Sequence, residues 1–122
     1  MQTLYESTFT AVGACARESL EENFLITFGE GAPQEVAEYC FIHRPAINQG
    51  GPVAAGAVVA IGEQRYPVTA VGEVATQNLR ELGHITLRFD GAAVAEFPGC
   101  VHVAGTLPRT IAPGQTFRVL SD

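Results

Sequence analysis

Lysine is absent from the 122 residues, and the seven basic side chains are all arginines, at positions 17, 44, 65, 80, 88, 109 and 118. Without a lysine amine the chain cannot form a Schiff base, anchor pyridoxal phosphate or carry a lipoyl or biotinyl group. The P-loop lysine is missing as well, and no Gly-x4-Gly-Lys-Ser/Thr run occurs. Charge is scarce altogether: 16% of residues are charged, against a usual ~25%. The 13 acids give a formal net charge of -6, which opposes a nucleic-acid backbone and an anionic membrane surface and excludes both as general partners. Long apolar runs are lacking too. The most apolar stretch, Pro52 to Ile61, is too short for a membrane span, which needs ~20 residues. The opening MQTLYESTFTAV has no basic region followed by an apolar one, so no secretory signal is expected. Three cysteines, Cys15, Cys40 and Cys100, are an odd number without a framework. They are expected to be free thiols in a reducing cytoplasm.

What the chain does have is material for one core. With 47% hydrophobic residues, a chain of this size buries roughly two-thirds of its unfolded surface, and residues 1–122 are expected to form a single domain. Strands are predicted at 3–12, at 24–28, over Cys40 to His43, at 53–61, 64–71 and 84–89, around 101–103 and at 116–120. Helical spacing marks 14–22, a short turn after Pro33, and 73–82, where Ala75, Leu79 and Leu82 form a stripe and Gly83 fits a left-handed cap. Gly62-Glu63 reads as a hairpin turn with glycine first. Pro67 is expected at an edge or a bulge. Arg44-Pro45 is expected to end the segment that His43 closes, because a residue before proline avoids helix. Asn48 to Pro52 reads as a permissive loop. No internal repeat is visible. The pattern predicts a mainly β, small barrel- or sandwich-like fold with two or three short capping helices.

Histidine is the side chain best suited to act near neutral pH as base, ligand or phosphoryl carrier, and there are three. His84 opens a strand on its polar face and fits a surface or capping role. His102 lies among Val101, Val103 and Ala104 and fits a buried structural role. His43 ends an apolar run before a break and a glycine-rich loop, an arrangement expected to hold the imidazole on a rigid element and expose it at a mobile rim. Cys40-x-x-His43 and Cys100-x-His102 contain the ligand types of a zinc site, but the spacing is poor, because Cys40 and His43 would project to opposite faces of an extended segment. No metal and no cofactor is expected. Cysteine-nucleophile chemistry would need Cys40 or Cys100 beside a histidine. Ser7, Ser19 and Ser121 do not lie in a nucleophile-elbow context.

Three long strings resemble one family: LITFGEGAPQEVAEYCFIH (25–43), RYPVTAVGEVATQNLRELGHITLRFDG (65–91) and AEFPGCVHVAG (95–105), with IAPGQTF near the end. They resemble the glucitol/sorbitol-specific enzyme IIA component of the bacterial phosphoenolpyruvate-dependent phosphotransferase system (PTS). The likeness fades between His43 and Arg65. The resemblance implies a small β-barrel-like domain acting as a cytoplasmic phosphocarrier. Such a protein takes a phosphoryl group from the histidine phosphocarrier protein (HPr) and passes it to the IIB part of the IIB/IIC permease. The family's acceptor is the histidine of the Phe-Ile-His string, which falls on His43. Donors to the phosphoryl oxygens could come from Arg44, His84 or backbone N–H groups of the glycine loop. The competing reading is a β domain that binds a small ligand or a protein without transferring anything.

Overall fold

A computed structural model of the chain describes residues 2–48, 51–108 and 110–121. Alternation of apolar and polar side chains decides the architecture, since each strand must bury one face. The strands are β1 (Gln2–Val12), β2 (Phe24–Gly29), β3 (Phe41–Asn48), β4 (Val58–Ile61), β5 (Gln64–Val71), β6 (Ile85–Arg88), β7 (Cys100–Val103) and β8 (Thr116–Ser121). They close into a barrel in the order β1-β3-β2-β6-β7-β5-β4-β8, and β8 pairs with β1. Inward residues such as Phe9, Leu25, Phe41, Val59, Val68, Leu87, Val103 and Phe117 form one core.

Two neighbouring pairs, β2–β3 and β6–β7, run parallel. A parallel neighbour needs a crossover of about a dozen residues, supplied by residues 30–40, which hold helix α1 (Gln34–Ala37), and by residues 89–99. A 3-10 helix (Ala16–Glu22) joins β1 to β2, and helix α2 (Ala75–Leu82) joins β5 to β6.

These connections reveal an internal structural repeat, contrary to the expectation of none. The unit β1, 3-10 helix, β2, crossover, β3 recurs as β5, α2, β6, crossover, β7. Gly13 N–H donates to Cys40 O at 2.9 Å and Gly72 N–H to Cys100 O at 2.8 Å. An added Cβ at Gly13 would lie 2.1 Å from Ala37 O, and one at Gly72 would lie 2.1 Å from Pro98 O. Phe9 pairs with His43 as Val68 pairs with Val103, each followed by a register shift. The halves meet where β2 and β6 pair antiparallel, Leu25 with Leu87 and Thr27 with Ile85. The sequence carries a short trace of the repeat, since Thr10-Ala11-Val12-Gly13 recurs as Thr69-Ala70-Val71-Gly72 and Cys40 is matched by Cys100, while most of the other equivalent positions differ.

The Gly62-Glu63 hairpin is present, with Ile61 opposite Gln64 and Gly62 at φ 59. Gly83 caps α2 in the left-handed region at φ 68. Other expectations need correction. The 14–22 segment winds as a 3-10 helix from Ala16 and ends at left-handed Asn23. Residues 53–57 are not strand; they turn, with Ala57 N–H bonded to Ala54 O and Gly56 at φ 96. Leu82 is 48% exposed and outside the helix's buried stripe. Closure leaves Pro67 no edge, and of the two places expected for it the bulge is the one it takes, beside the β5–β7 register shift between Val68 and Ala70. Of the expected Asn48–Pro52 loop, Gln49 and Gly50 lie outside the described residues. Arg44-Pro45 does not end the strand. β3 continues to Asn48, because the extended conformation that proline imposes on its predecessor is the one a strand uses. Pro45 pairs with Ser7 next to a register shift, where a missing N–H is tolerated.

Phe117 is fully buried, stacks on Phe9 at 5.6 Å and meets the His43 ring edge-on at 5.2 Å. We expect Phe117→Ala to lower unfolding free energy by about 3–5 kcal/mol, read as a lower urea midpoint at an unchanged m value.

Candidate functional site

Strand parity sends Tyr5, Ser7 and Phe9 of β1, Leu25 and Thr27 of β2, and Phe41 and His43 of β3 into the barrel. Pairing sets His43 opposite Phe9 on one side and Gly29 on the other. Besides His102, the buried polar residues among the described ones are Ser7, Thr27 and His43, each with 0% exposure. A polar group in such a place must be hydrogen-bonded or it costs stability. These three belong to one chain of bonds. Ser7 Oγ lies 2.6 Å from His43 Nδ1, His43 Nε2 lies 2.7 Å from Gly83 O, and Thr27 Oγ1 donates to the same carbonyl at 2.9 Å.

Donor chemistry assigns the ring proton. A carbonyl oxygen only accepts, so Nε2 carries the hydrogen; Nδ1 is then bare and accepts from the Ser7 hydroxyl. The rings of Tyr5, Phe9 and Phe117 stand edge-on around the imidazole, at 5.9, 6.2 and 5.2 Å. Burial in this apolar box holds the His43 pKa below its ordinary 6.5, outweighing the opposing pull of the Gly83 carbonyl. The product is a neutral imidazole, the form that acts as a nucleophile.

This corrects the expectation that His43 ends its strand at a mobile rim. It is the third residue of β3, inside the barrel. On the Nε2 side the ring packs against the connection from α2 to β6. Gly83 packs so closely there that a Cβ would stand 2.7 Å from Gly29 N and 2.9 Å from His43 Cε1.

The other candidates divide between this neighbourhood and elsewhere. His84, half-buried, follows Gly83 directly. Its Nδ1 donates to Thr27 O at 3.0 Å and its ring packs on Phe28 at 4.8 Å. Arg44 falls on the outer face of β3, where its guanidinium forks onto the Glu30 carboxylate at 2.8 and 3.2 Å. That bond holds the Glu30 carboxyl below its usual range against a weaker effect of burial. His102 is remote in role. It lies on the outer side of β7 beneath the 89–99 crossover, its Nδ1 donating to Asp90 Oδ1 at 2.8 Å and its Nε2 accepting from Glu96 N–H at 3.1 Å. Cys40 and Cys100 are buried free thiols, and burial pushes the Cys40 pKa up to about 11, away from thiolate chemistry. No group of three or more potential metal ligands occurs among the described residues.

Reading the sequence missed Ser7, Thr27 and Gly83 as members of the site. The available signal was parity: Ser7 alternates with Tyr5 and Phe9, and Thr27 with Leu25, so both are polar residues on apolar faces.

The barrel encloses a neutral histidine hydrogen-bonded on both ring nitrogens, and comparison with known proteins gives the class. The family model described as "PTS system glucitol/sorbitol-specific IIA component" matches residues 4–118. Curated proteins named "PTS system glucitol/sorbitol-specific EIIA component" from Shigella flexneri and Escherichia coli (strain K12) are each 53% identical over 118 residues, covering 97% of this chain and 95% of theirs. The crystal structure of a PTS system IIA component from Enterococcus faecalis V583 superimposes with a TM-score of 0.79 at 26% identity, covering 94% of this chain and 98% of that one. The chain belongs to the glucitol/sorbitol-specific IIA component family of the PTS.

Two outcomes follow from the site. Folded His43 resists protonation, whereas unfolded His43 titrates near 6.5. The unfolded chain therefore binds the extra proton as pH falls below that value, and the stability contributed above it is lost. We expect unfolding free energy to fall by up to ~1.4 kcal/mol per pH unit from this residue. His43→Gln should remove that part of the slope, measured by urea titration above and below the histidine range. Gly83→Ala should cost more than about 1 kcal/mol, because alanine is strained at positive φ and its methyl meets Gly29. A lowered urea midpoint together with shifted His43 ring resonances would be the readout.

Proposed function

We propose that residues 1–122 form one IIA domain that works as a cytoplasmic phosphocarrier. His43 accepts a phosphoryl group from HPr and yields it to the IIB part of a IIB/IIC permease that takes up glucitol/sorbitol. Family membership supports the class of reaction. The observation that carries the choice of residue is the neutral His43 imidazole at the centre of the buried Ser7–His43–Gly83–Thr27 chain. No helix among the described residues is long and apolar enough to cross a membrane, which suits a carrier that shuttles between partners.

Phosphoryl transfer asks a protein chiefly for positioning: an in-line nucleophile and donors for the equatorial oxygens. The aromatic box fixes the ring and excludes water, which also protects a labile P–N bond from hydrolysis. Entry requires the Gly83 carbonyl to turn aside, a movement that glycine permits with little backbone hindrance. The nearby donors all have partners in the resting protein, the N–H groups of Gly83, His84 and Ile85 on Leu79 O, Asn78 O and Thr27 Oγ1, His84 Nδ1 on Thr27 O and Arg44 on Glu30, so a donor to the phosphoryl oxygens must first leave its present partner. The acids Glu35 and Glu38 are exposed on and beside α1 and provide long-range attraction for a basic donor surface.

Incubation with phosphoenolpyruvate, enzyme I and HPr should add the mass of one phosphate, mapped to His43 at a pH where phosphohistidine survives, and His43→Gln should take up none. The complete burial of His43 is the one observation that favours the competing reading, a β domain that binds without transferring. Absence of any mass shift would decide for it, and phosphate on His84 would move the acceptor role there.

A further inference from the structure

The two buried histidines share a feature, a protein partner on each ring nitrogen, but those partners differ in what they can do. At His102 the Asp90 carboxylate only accepts and the Glu96 N–H only donates, so a neutral ring keeps its proton on Nδ1. At His43 the Gly83 carbonyl only accepts, but the Ser7 hydroxyl both donates and accepts. His43 alone has a reversible partner.

Direction adds the second point. Nδ1 faces Ser7 on β1, itself fully buried in the barrel wall. Nε2 faces the carbonyl of Gly83, on a connection flanked by the exposed Leu82 and the half-buried His84. A macromolecular donor reaches the ring from the Nε2 side. Attack by Nε2 needs its lone pair free, and the ring proton must then sit on Nδ1.

We infer that Ser7 is the positioning residue of the transfer: its hydroxyl donates to Nδ1 in the resting protein and turns to accept from Nδ1–H when Nε2 takes the phosphoryl group. This rests on His43 being the acceptor. The tautomer change is proton-neutral: withdrawal of the Gly83 carbonyl admits water before the donor docks, Nε2 gives its proton to that water, and Nδ1 takes one from the same water, which is expelled when the donor seats. In the transfer step the Nε2 lone pair forms the new N–P bond. The N–P bond of the donor phosphohistidine breaks, and its electron pair returns to the donor nitrogen. The accepting ring becomes electron-poor, so the Nδ1–H bond to Oγ gains charge-assisted strength as the transition state forms. Thr27 keeps partners when the Gly83 carbonyl withdraws, because its Oγ1 also lies 3.5 Å from Ile85 O and accepts from Ile85 N–H at 3.2 Å.

The test uses the full chain with phospho-HPr as donor, the rate and site of phosphate incorporation, and nitrogen-15 NMR of the His43 ring. The resting ring is expected protonated on Nε2 and the phosphorylated ring on Nδ1. Ser7→Ala is expected to fold, to be labelled on His43 roughly 10- to 100-fold more slowly, and to lose the uniform resting tautomer. Ser7→Thr, which keeps the hydroxyl, should restore most of the rate. A resting wild-type ring protonated on Nδ1 overturns the proposal, and so does a Ser7→Ala protein with unchanged rate and ring protonation. A slowed Ser7→Ala protein with an unchanged tautomer and no rescue by threonine also overturns it, as a packing effect. Should Ser7→Ala not fold, the wild-type ring spectra and the Ser7→Thr rate decide. Phosphate mapped to another residue in the wild type defeats the acceptor reading itself. Phosphate on His43 with Ser7→Ala unaffected defeats only the role of Ser7.

Discussion

A neutral imidazole hydrogen-bonded on both sides in an aromatic interior is the constraint on which the rest of this fold depends. Its two partners come from elements far from His43 in sequence, Ser7 at a separation of 36 residues and Gly83 at 40. Both must arrive in register. A slip of one residue along β1 would turn Glu6 or Thr8 inward in place of Ser7 and leave Nδ1 without its hydroxyl. The register shifts that flank this stretch, between Glu6 and Ser7 and between Phe9 and Ala11, bring Ser7 and Phe9 to the ring together. Proline at position 45, opposite Ser7, belongs to the same device.

The repeat clarifies why chemistry sits on one side of the barrel. By strand pairing, His43 corresponds to Val103, Thr27 to Leu87 and Ser7 to Tyr66. The polar chain of the first half is thus replaced by apolar or aromatic side chains in the second. The helix caps diverge in the same way. Gly83 lends its carbonyl to His43, whereas its counterpart Asn23 uses its carbonyl and its side-chain amide to hold the backbone of Phe89. The second half is a scaffold with its own fastening, where Asp90 and Glu96 hold His102 and Arg88 lies over the rings of Phe24 and Phe97 at 5.1 and 5.7 Å.

Local chemistry made much of this legible in the sequence. Gly62-Glu63, Gly83 and the alternation of Ile85, Leu87 and Phe89 announce a hairpin, a cap and a strand through effects that act within a few residues. The family resemblance singles out His43, but its surroundings were misread. Arg44-Pro45 disfavours helix, which is equally compatible with a break and with a strand that carries on, and only the pairing of Pro45 with Ser7 decides between them. Burial of His43 is likewise a property of barrel closure, set by contacts between distant segments. Ser7 carries no local motif, because what gives it a role is a bond to His43, 36 residues away.

Closure of the barrel also governs how the molecule can meet others. Every strand has a neighbour on both sides, with β8 returning to β1, so no row of unpaired backbone groups is offered at an edge. A partner cannot add a strand to this sheet, and copies of the chain cannot stack into a shared ladder. Recognition is left to side chains and to exposed connections, which means that partner choice is written in surface residues and can be rewritten by substitution without disturbing the hydrogen-bonded frame.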